Sequence, residues 1–204
     1  MRRNFPADFA LLDRVKRRKV DTFMKHILRA LTFSGAFLAM GSAFASDFLV
    51  TSPESDKPLS EAHFASGFGC TGGNLSPQIS WKNAPKGTKS FAISMYDPDA
   101  PTGSGWWHWV AINIPASISE LPEGAGSNMD KMPAGSMMTG TDAGQSAYFG
   151  ACPPKGEAHR YVITVKALGV EKLDLPPNAS GALVGFVTNA NKLDEAKITF
   201  KAGR

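Results

Sequence analysis

Five short runs of alternating apolar residues, separated by stretches crowded with glycine, proline and asparagine, constrain this chain most. The runs lie at 79–81, 91–96, 109–114, 161–167 and 198–200, and the turn-rich stretches at 67–77, 83–87, 121–142 and 150–156. Period-two alternation places every second side chain on one face of a strand, and dense turn signals close the strands off. The pattern predicts a mainly β domain with long functional loops. One segment departs from it. Asn178-Ala179-Ser180-Gly181 supplies capping residues ahead of Ala182-Leu183-Val184-Gly185-Phe186-Val187, and 189–193 closes the run, so a short helix is predicted there. No internal repeat is visible.

The chain carries a net charge of +4, but its basic residues are unevenly placed. Residues 1–45 hold nine Lys/Arg against three Asp/Glu, whereas 46–204 hold thirteen against fifteen. Met24-Lys25-His26-Ile27-Leu28-Arg29 reads as a basic leader start. An apolar run over 30–40 and the small-x-small site Ala43-Phe44-Ala45 follow it. The expectation is a signal peptide over 24–45 cleaved after Ala45, a periplasmic or secreted product, and an upstream start extension over 1–23. The apolar run is shorter than the roughly 20 residues a bilayer span requires. The remaining body is weakly acidic, so neither nucleic-acid binding nor membrane spanning is expected.

Removing 45 of the 204 residues leaves 159, enough for one domain over 46–204 with a substantial core. Two cysteines, Cys70 and Cys152, in an exported chain favour a disulfide over two unpaired core thiols.

The densest chemistry lies in 97–109. Asp97-Pro98-Asp99-Ala100-Pro101 runs into Thr102-Gly103-Ser104-Gly105-Trp106-Trp107-His108-Trp109. Strands on either side would bring Asp97 and Asp99 near His108. His108 shares even spacing with Val110, Ile112 and Ile114, as His159 does with Tyr161, Ile163 and Val165, so each sits at the mouth of a strand. A pocket of histidines, carboxylate and turn amides suits a small anion. One of the two aspartates is also expected to serve as an acceptor for turn amides or as a partner of Arg160. The tryptophans read as wall and core. Two histidines and a carboxylate resemble a facial triad, but no closely spaced ligand pair seeds a site, so no metal is expected. Gly67-Phe68-Gly69-Cys70-Thr71-Gly72 matches a dinucleotide fingerprint by letter only, because Pro77 prevents the helix it requires. Nucleophile-elbow, phosphate-loop and zinc-protease motifs are absent.

Three ordered motifs resemble the phosphatidylethanolamine-binding protein (PEBP) family, also called Raf kinase inhibitor-like proteins, in its exported bacterial branch. They are Tyr96-Asp97-Pro98-Asp99-Ala100-Pro101, Gly105-Trp106-Trp107-His108-Trp109, and Tyr148-Phe149-Gly150-Ala151-Cys152-Pro153-Pro154-Lys155-Gly156 leading to His159-Arg160-Tyr161. The resemblance implies a PEBP-like fold: a large central antiparallel sheet, a second smaller sheet, and one or two short helices near the C-terminus. It implies a shallow pocket for a phosphate-type headgroup, lined by Asp97, His108, His159 and Tyr161 with the turn of Gly150, Cys152 and Pro153, and shaped by Asp99 and Pro101. A cis bond before Pro101 is also implied. The animal members' first histidine of the Trp-His-His run is replaced by Trp107, and no counterpart of their additional C-terminal helix is expected after Phe200.

The functional expectation is a non-enzymatic binding protein without a cofactor. Its ligand would be phosphate, a phospholipid headgroup or a carboxylate. Both histidines would donate to the anion, Asp97 would orient a histidine or accept from an amine, Tyr161 would add a hydroxyl, and turn amides would complete the cradle. A protein-interaction module, with a protein partner or a homodimer, is the alternative. A hydrolase using His/Asp acid–base chemistry is another.

Overall fold

The computed structural model describes residues 47–55 and 57–204. The expected start extension, signal peptide and cleavage site lie outside these residues. Ten strands and one α-helix follow in order: β1 (Leu49–Thr51), β2 (Ser66–Gly67), β3 (Cys70–Thr71), β4 (Ile79–Lys82), β5 (Ser90–Asp97), β6 (Trp106–Pro115), β7 (Glu120–Leu121), β8 (Met137–Met138), β9 (Ala158–Leu168), α1 (Gly181–Asn191) and β10 (Lys192–Gly203).

The main sheet has the order β10-β9-β5-β6-β8 with every neighbour antiparallel. A smaller antiparallel sheet, β1-β4-β7, faces it, and β2-β3 forms a minor hairpin. Between the two larger sheets lies the main core, in which Phe91, Ile93, Met95, Trp109, Ile163 and Phe200 meet Ile79, Trp81 and Leu121. Each such fully buried aliphatic or aromatic side chain stabilises the fold by roughly 1.5–3 kcal/mol. On the opposite face Ala92, Val110 and Ile112 pack with Leu173 and Val184 of the α1 side. With both faces covered, β5 and β6 are almost continuously buried. No helix among the described residues is long and apolar enough to cross a membrane.

All five alternating runs are strands, and the helix is where its caps predict, with the Ser180 hydroxyl accepting from Leu183 N at 3.2 Å. The strand after it is longer than the alternation indicated. β10 pairs with β9 from Lys192 to Gly203. Its first four residues, Lys-Leu-Asp-Glu, are largely solvent-facing on an edge strand and carry no apolar alternation to read.

Two irregularities in β6 matter for the site. Met95 pairs with Trp109 but Tyr96 with Trp107, and Ile93 pairs with Ala111 but Phe91 with Ile114. Each shift inserts one extra residue into β6, and extra residues re-aim side chains. The apolar face expected over His108, Val110, Ile112 and Ile114 is therefore divided. Val110 and Ile112 pack toward α1, Ile114 joins the inter-sheet core, and the His108 ring meets Tyr161, a residue of that core. Asn113, at φ 59°, absorbs the second extra residue, and its side-chain amide is bonded to both backbone groups of Leu173.

Candidate anion-binding site

The hollow of about 310 Å³ at the end of the inter-sheet core is lined by Asp97, Pro101, His108, Cys152, His159 and Arg204, among others. Asp97 ends β5, His108 lies near the start of β6 and His159 near the start of β9, so antiparallel pairing gathers three distant residues at one sheet end.

The two histidines are held differently. His108 is buried, and its Nδ1 lies 2.8 Å from the carbonyl oxygen of Phe149. A carbonyl only accepts, so Nδ1–H donates and Nε2 is left as the lone-pair nitrogen. Burial pushes the His108 pKa down, against the smaller pull of the Phe149 carbonyl and the Asp97 charge. This ring is neutral. His159 Nδ1 lies 2.8 Å from Asp97 Oδ2 and its Nε2 3.2 Å from Glu157 Oε2. Carboxylates also only accept, so both ring nitrogens carry protons. Burial alone would lower the His159 pKa, but the hydrogen bonds and charges of Asp97 and Glu157 outweigh it and raise it. The charged form of this ring is favoured.

Asp97 and Asp99 both do structural work. Asp97 Oδ1 accepts from Asp99 N at 2.8 Å, closing an Asx turn. Asp99 takes Arg160 through its backbone N, Nε and second guanidinium nitrogen at 2.8, 3.0 and 2.6 Å. The Arg160 hydrogen bonds hold the Asp99 carboxyl well below its usual range, at about 2. Asp99 supports the turn and does not line the hollow.

Several expected contributors are placed elsewhere. Tyr161 is fully buried beneath the site, with its ring edge against His108 at 5.1 Å between centroids, and burial pushes its phenol pKa up. Of the turn amides, Gly150 N donates to Asn74 Oδ1 and Ala151 N to the His63 carbonyl, while Pro153 and Pro154 have no N–H. These amides are used inside the fold. Gly150 instead serves packing, since a Cβ there would collide with the backbone of His63, Phe64 and Ala65. Pro153 is buried and not among the lining residues. No cis peptide occurs among the described residues, so the bond before Pro101 is trans. The Asx turn and the Asp99–Arg160 contacts set the path of this loop instead. Trp107 faces away from the hollow, its ring tilted by 44° on that of Tyr96 with centroids 4.6 Å apart and packed against Gly181 of α1. The long loop after β7 adds no lining residue; it supplies β8, which pairs with β6.

Cys70 and Cys152 form the expected disulfide, with Cα atoms 5.9 Å apart. Arg204 lines the hollow without a sequence signal, and Phe68 and Phe149, present only inside longer motifs, were not singled out as lining residues. Phe68, 71% exposed, packs edge-on to Phe149 and Trp106, giving the hollow an aromatic rim. The glycines around Phe68 were a readable turn signal, but nothing local showed which way its ring points.

Comparison with known proteins bears on this arrangement. Residues 54–203 match the family model described as phosphatidylethanolamine-binding protein. The UPF0098 protein YbcL of Escherichia coli K12 is 51% identical over 162 residues, covering 78% of this chain and 88% of YbcL. The UPF0098 protein YbhB of the same organism is 52% identical over 141 residues, covering 69% of this chain and 89% of YbhB. The crystal structure of E. coli YbcL, described as a new member of the mammalian PEBP family, matches with a TM-score of 0.75 at 49% identity, covering 78% of this chain and 99% of that one. A PEBP homologue from Chlamydia trachomatis, CT736, shares the fold at a TM-score of 0.65 and 23% identity, over 77% of this chain and 97% of its own. With residues 54–203 matching that family model and YbcL 51% identical over 88% of its own length, this chain belongs to the phosphatidylethanolamine-binding protein family.

Proposed function

We propose that this protein is an exported, non-catalytic receptor for a small anion of the phosphate or phosphate-headgroup type. The observation that carries the reading is the pairing of an imidazolium, His159, with a neutral imidazole, His108, in one open hollow beside the Arg204 side chain. The charged ring supplies a donor. The neutral ring offers a lone pair at Nε2, which accepts a hydrogen bond from a protonated ligand oxygen. Hydrogen phosphate and phosphate monoesters in their protonated form have both an anionic oxygen and an acidic proton; sulfate has no proton to give. The site therefore favours phosphate over sulfate.

The Glu157 carboxylate, 57% exposed, holds the outward nitrogen of His159. An incoming anion takes its place, and the side chain swings into water at little cost. The non-catalytic reading is supported by the state of the available nucleophiles. The Cys152 sulfur is in the disulfide, and the Thr102 hydroxyl donates to the Gly105 carbonyl. Export is supported by the leader pattern and by the disulfide, which persists in oxidising compartments.

Calorimetric titration with inorganic phosphate and with phosphoethanolamine tests the reading. Binding is expected in the wild type, and its loss in the His108→Ala/His159→Ala double variant; an unchanged affinity in that variant would sink the assignment. Glu157→Gln should strengthen phosphate binding several-fold. A second reading, docking of a protein partner, is favoured by the exposed Phe68 on the rim. Phe68→Ser would then abolish capture of that partner while phosphate binding survives.

A further inference from the structure

Away from the hollow, three segments distant in sequence bring Glu54, His63 and Glu123 together. Glu54 lies in the turn after β1, His63 in a single 3-10 turn (Glu61–His63), and Glu123 just after β7. One ligand-capable atom from each lies within 4.8 Å of the others. We propose that these residues form a divalent-cation site suited to zinc.

The orientation of His63 is the strongest argument. The residue is 1% exposed, and its Nδ1 lies 2.8 Å from the Leu75 carbonyl oxygen. Nδ1–H therefore donates, and in the neutral ring Nε2 carries the lone pair. That nitrogen is 3.9 Å from Glu54 Oε1, too far for a hydrogen bond, and makes none among the described residues. A lone pair facing two carboxylates is repulsive unless a proton or a metal ion lies between them.

The surroundings match what metal ligands require. Metal-bound histidines commonly donate their other ring N–H to a carbonyl, which fixes the ring and raises its basicity. His63 already does so. The Glu54 carboxylate is held in the same way, its Oε2 accepting from the Ser52 hydroxyl at 2.7 Å, which leaves Oε1 facing His63. One imidazole nitrogen with two carboxylates suits zinc and similar first-row ions, whereas magnesium and calcium prefer all-oxygen sets. Two carboxylates also balance a double positive charge. Zinc–ligand distances of about 2.0–2.2 Å require the three atoms to draw closer. Glu123, exposed at the start of its loop, can make that movement.

Such an ion would fasten the turn after β1 to the loop after β7 through a residue that also anchors the hollow. The His63 carbonyl accepts from the Tyr148 hydroxyl at 2.9 Å and from Ala151 N at 3.1 Å, beside the turn that holds His108.

The test is calorimetric titration of the chelator-stripped full-length protein with zinc chloride, together with thermal unfolding. One equivalent of zinc should bind and raise the melting temperature. Glu123→Gln, an exposed substitution, should weaken zinc at least about tenfold without altering the melting temperature of the zinc-free protein. His159→Ala should leave zinc affinity unchanged, which separates this site from the hollow's own histidine and carboxylates. Failure to take up zinc would overturn the proposal. Uptake unaffected by Glu123→Gln, or abolished by His159→Ala, would overturn it as well.

Discussion

His108 and His159 line one hollow, yet one meets a carbonyl and the other two carboxylates, and this difference sets their charge. His108 is anchored by Phe149, from a segment with no nearby charge strong enough to offset burial, so it stays neutral. His159 has the buried carboxylate of Asp97 on one nitrogen and the exposed carboxylate of Glu157 on the other, which raises its pKa and favours the charged form. Residue type alone does not identify an anion donor. The partner on the far nitrogen decides whether an imidazole gives or receives a proton at the site.

The largest expected effect is on the support of the His108 side. The disulfide ties the 150–154 turn to β3 and closes a loop of 82 residues. Replacing both cysteines with serine should cost about 4 kcal/mol in urea unfolding by the chain-entropy estimate. Because Phe149 precedes that turn, the His108 resonance should broaden or shift more than that of His159.

Next is Asp97→Asn, which gives His159 an amide carbonyl where it had a carboxylate and so makes it resemble His108. Removing one partner of a buried pair should lower stability by about 3 kcal/mol, measured by urea unfolding. The His159 pKa should fall, measured by NMR titration. A His159 pKa that stays raised in this variant would break the comparison.

The third expectation concerns pH, and the two rings have opposite signs. His159 has a raised folded pKa, so its stabilising contribution is complete below the unfolded value near 6.5 and is lost as pH rises through the folded value. His108 has a lowered folded pKa, so its contribution is complete above about 6.5 and is lost as pH falls through the folded value. Stability measured against pH should therefore decline gently on both sides. Histidine titrations in the same sample should bracket 6.5, one above and one below.

The smallest effect belongs to Asp99→Asn. Its partner Arg160 is exposed, so the pair is screened by solvent. Phosphate affinity should change less than about threefold. The visible consequence should appear in acid. The wild-type pair contributes above the ordinary carboxylate range and is lost only as pH falls toward about 2, and the variant should lack that step.

Much of this was legible in the residues. Alternation marked five of the ten strands because period two is a local property, and Ser180 marked the helix start because a cap is read within three residues. The first half of β10 was not legible, because an edge strand with charged residues has no apolar rhythm. His108 was assigned the wrong face because an extra residue in β6 resets the alternation, and register exists only between two strands. The turn amides looked available because nothing local shows that Asn74 and His63 consume them.

The meeting of His159 with His108 was implied only by the family resemblance, whereas five of the ten strands, the helix cap, the disulfide partners and the nearness of Asp97 to His108 were readable from the residues themselves. These follow from nearest-neighbour chemistry and from counting. Tertiary structure decided which nitrogen of each histidine is occupied, which ring is charged, and which backbone donors are already used. Those outcomes depend on hydrogen bonds between residues 41 and 62 positions apart, from His108 to Phe149 and from His159 to Asp97. Contacts of that range form only when the sheets pack, and burial then fixes the protonation of whatever they enclose.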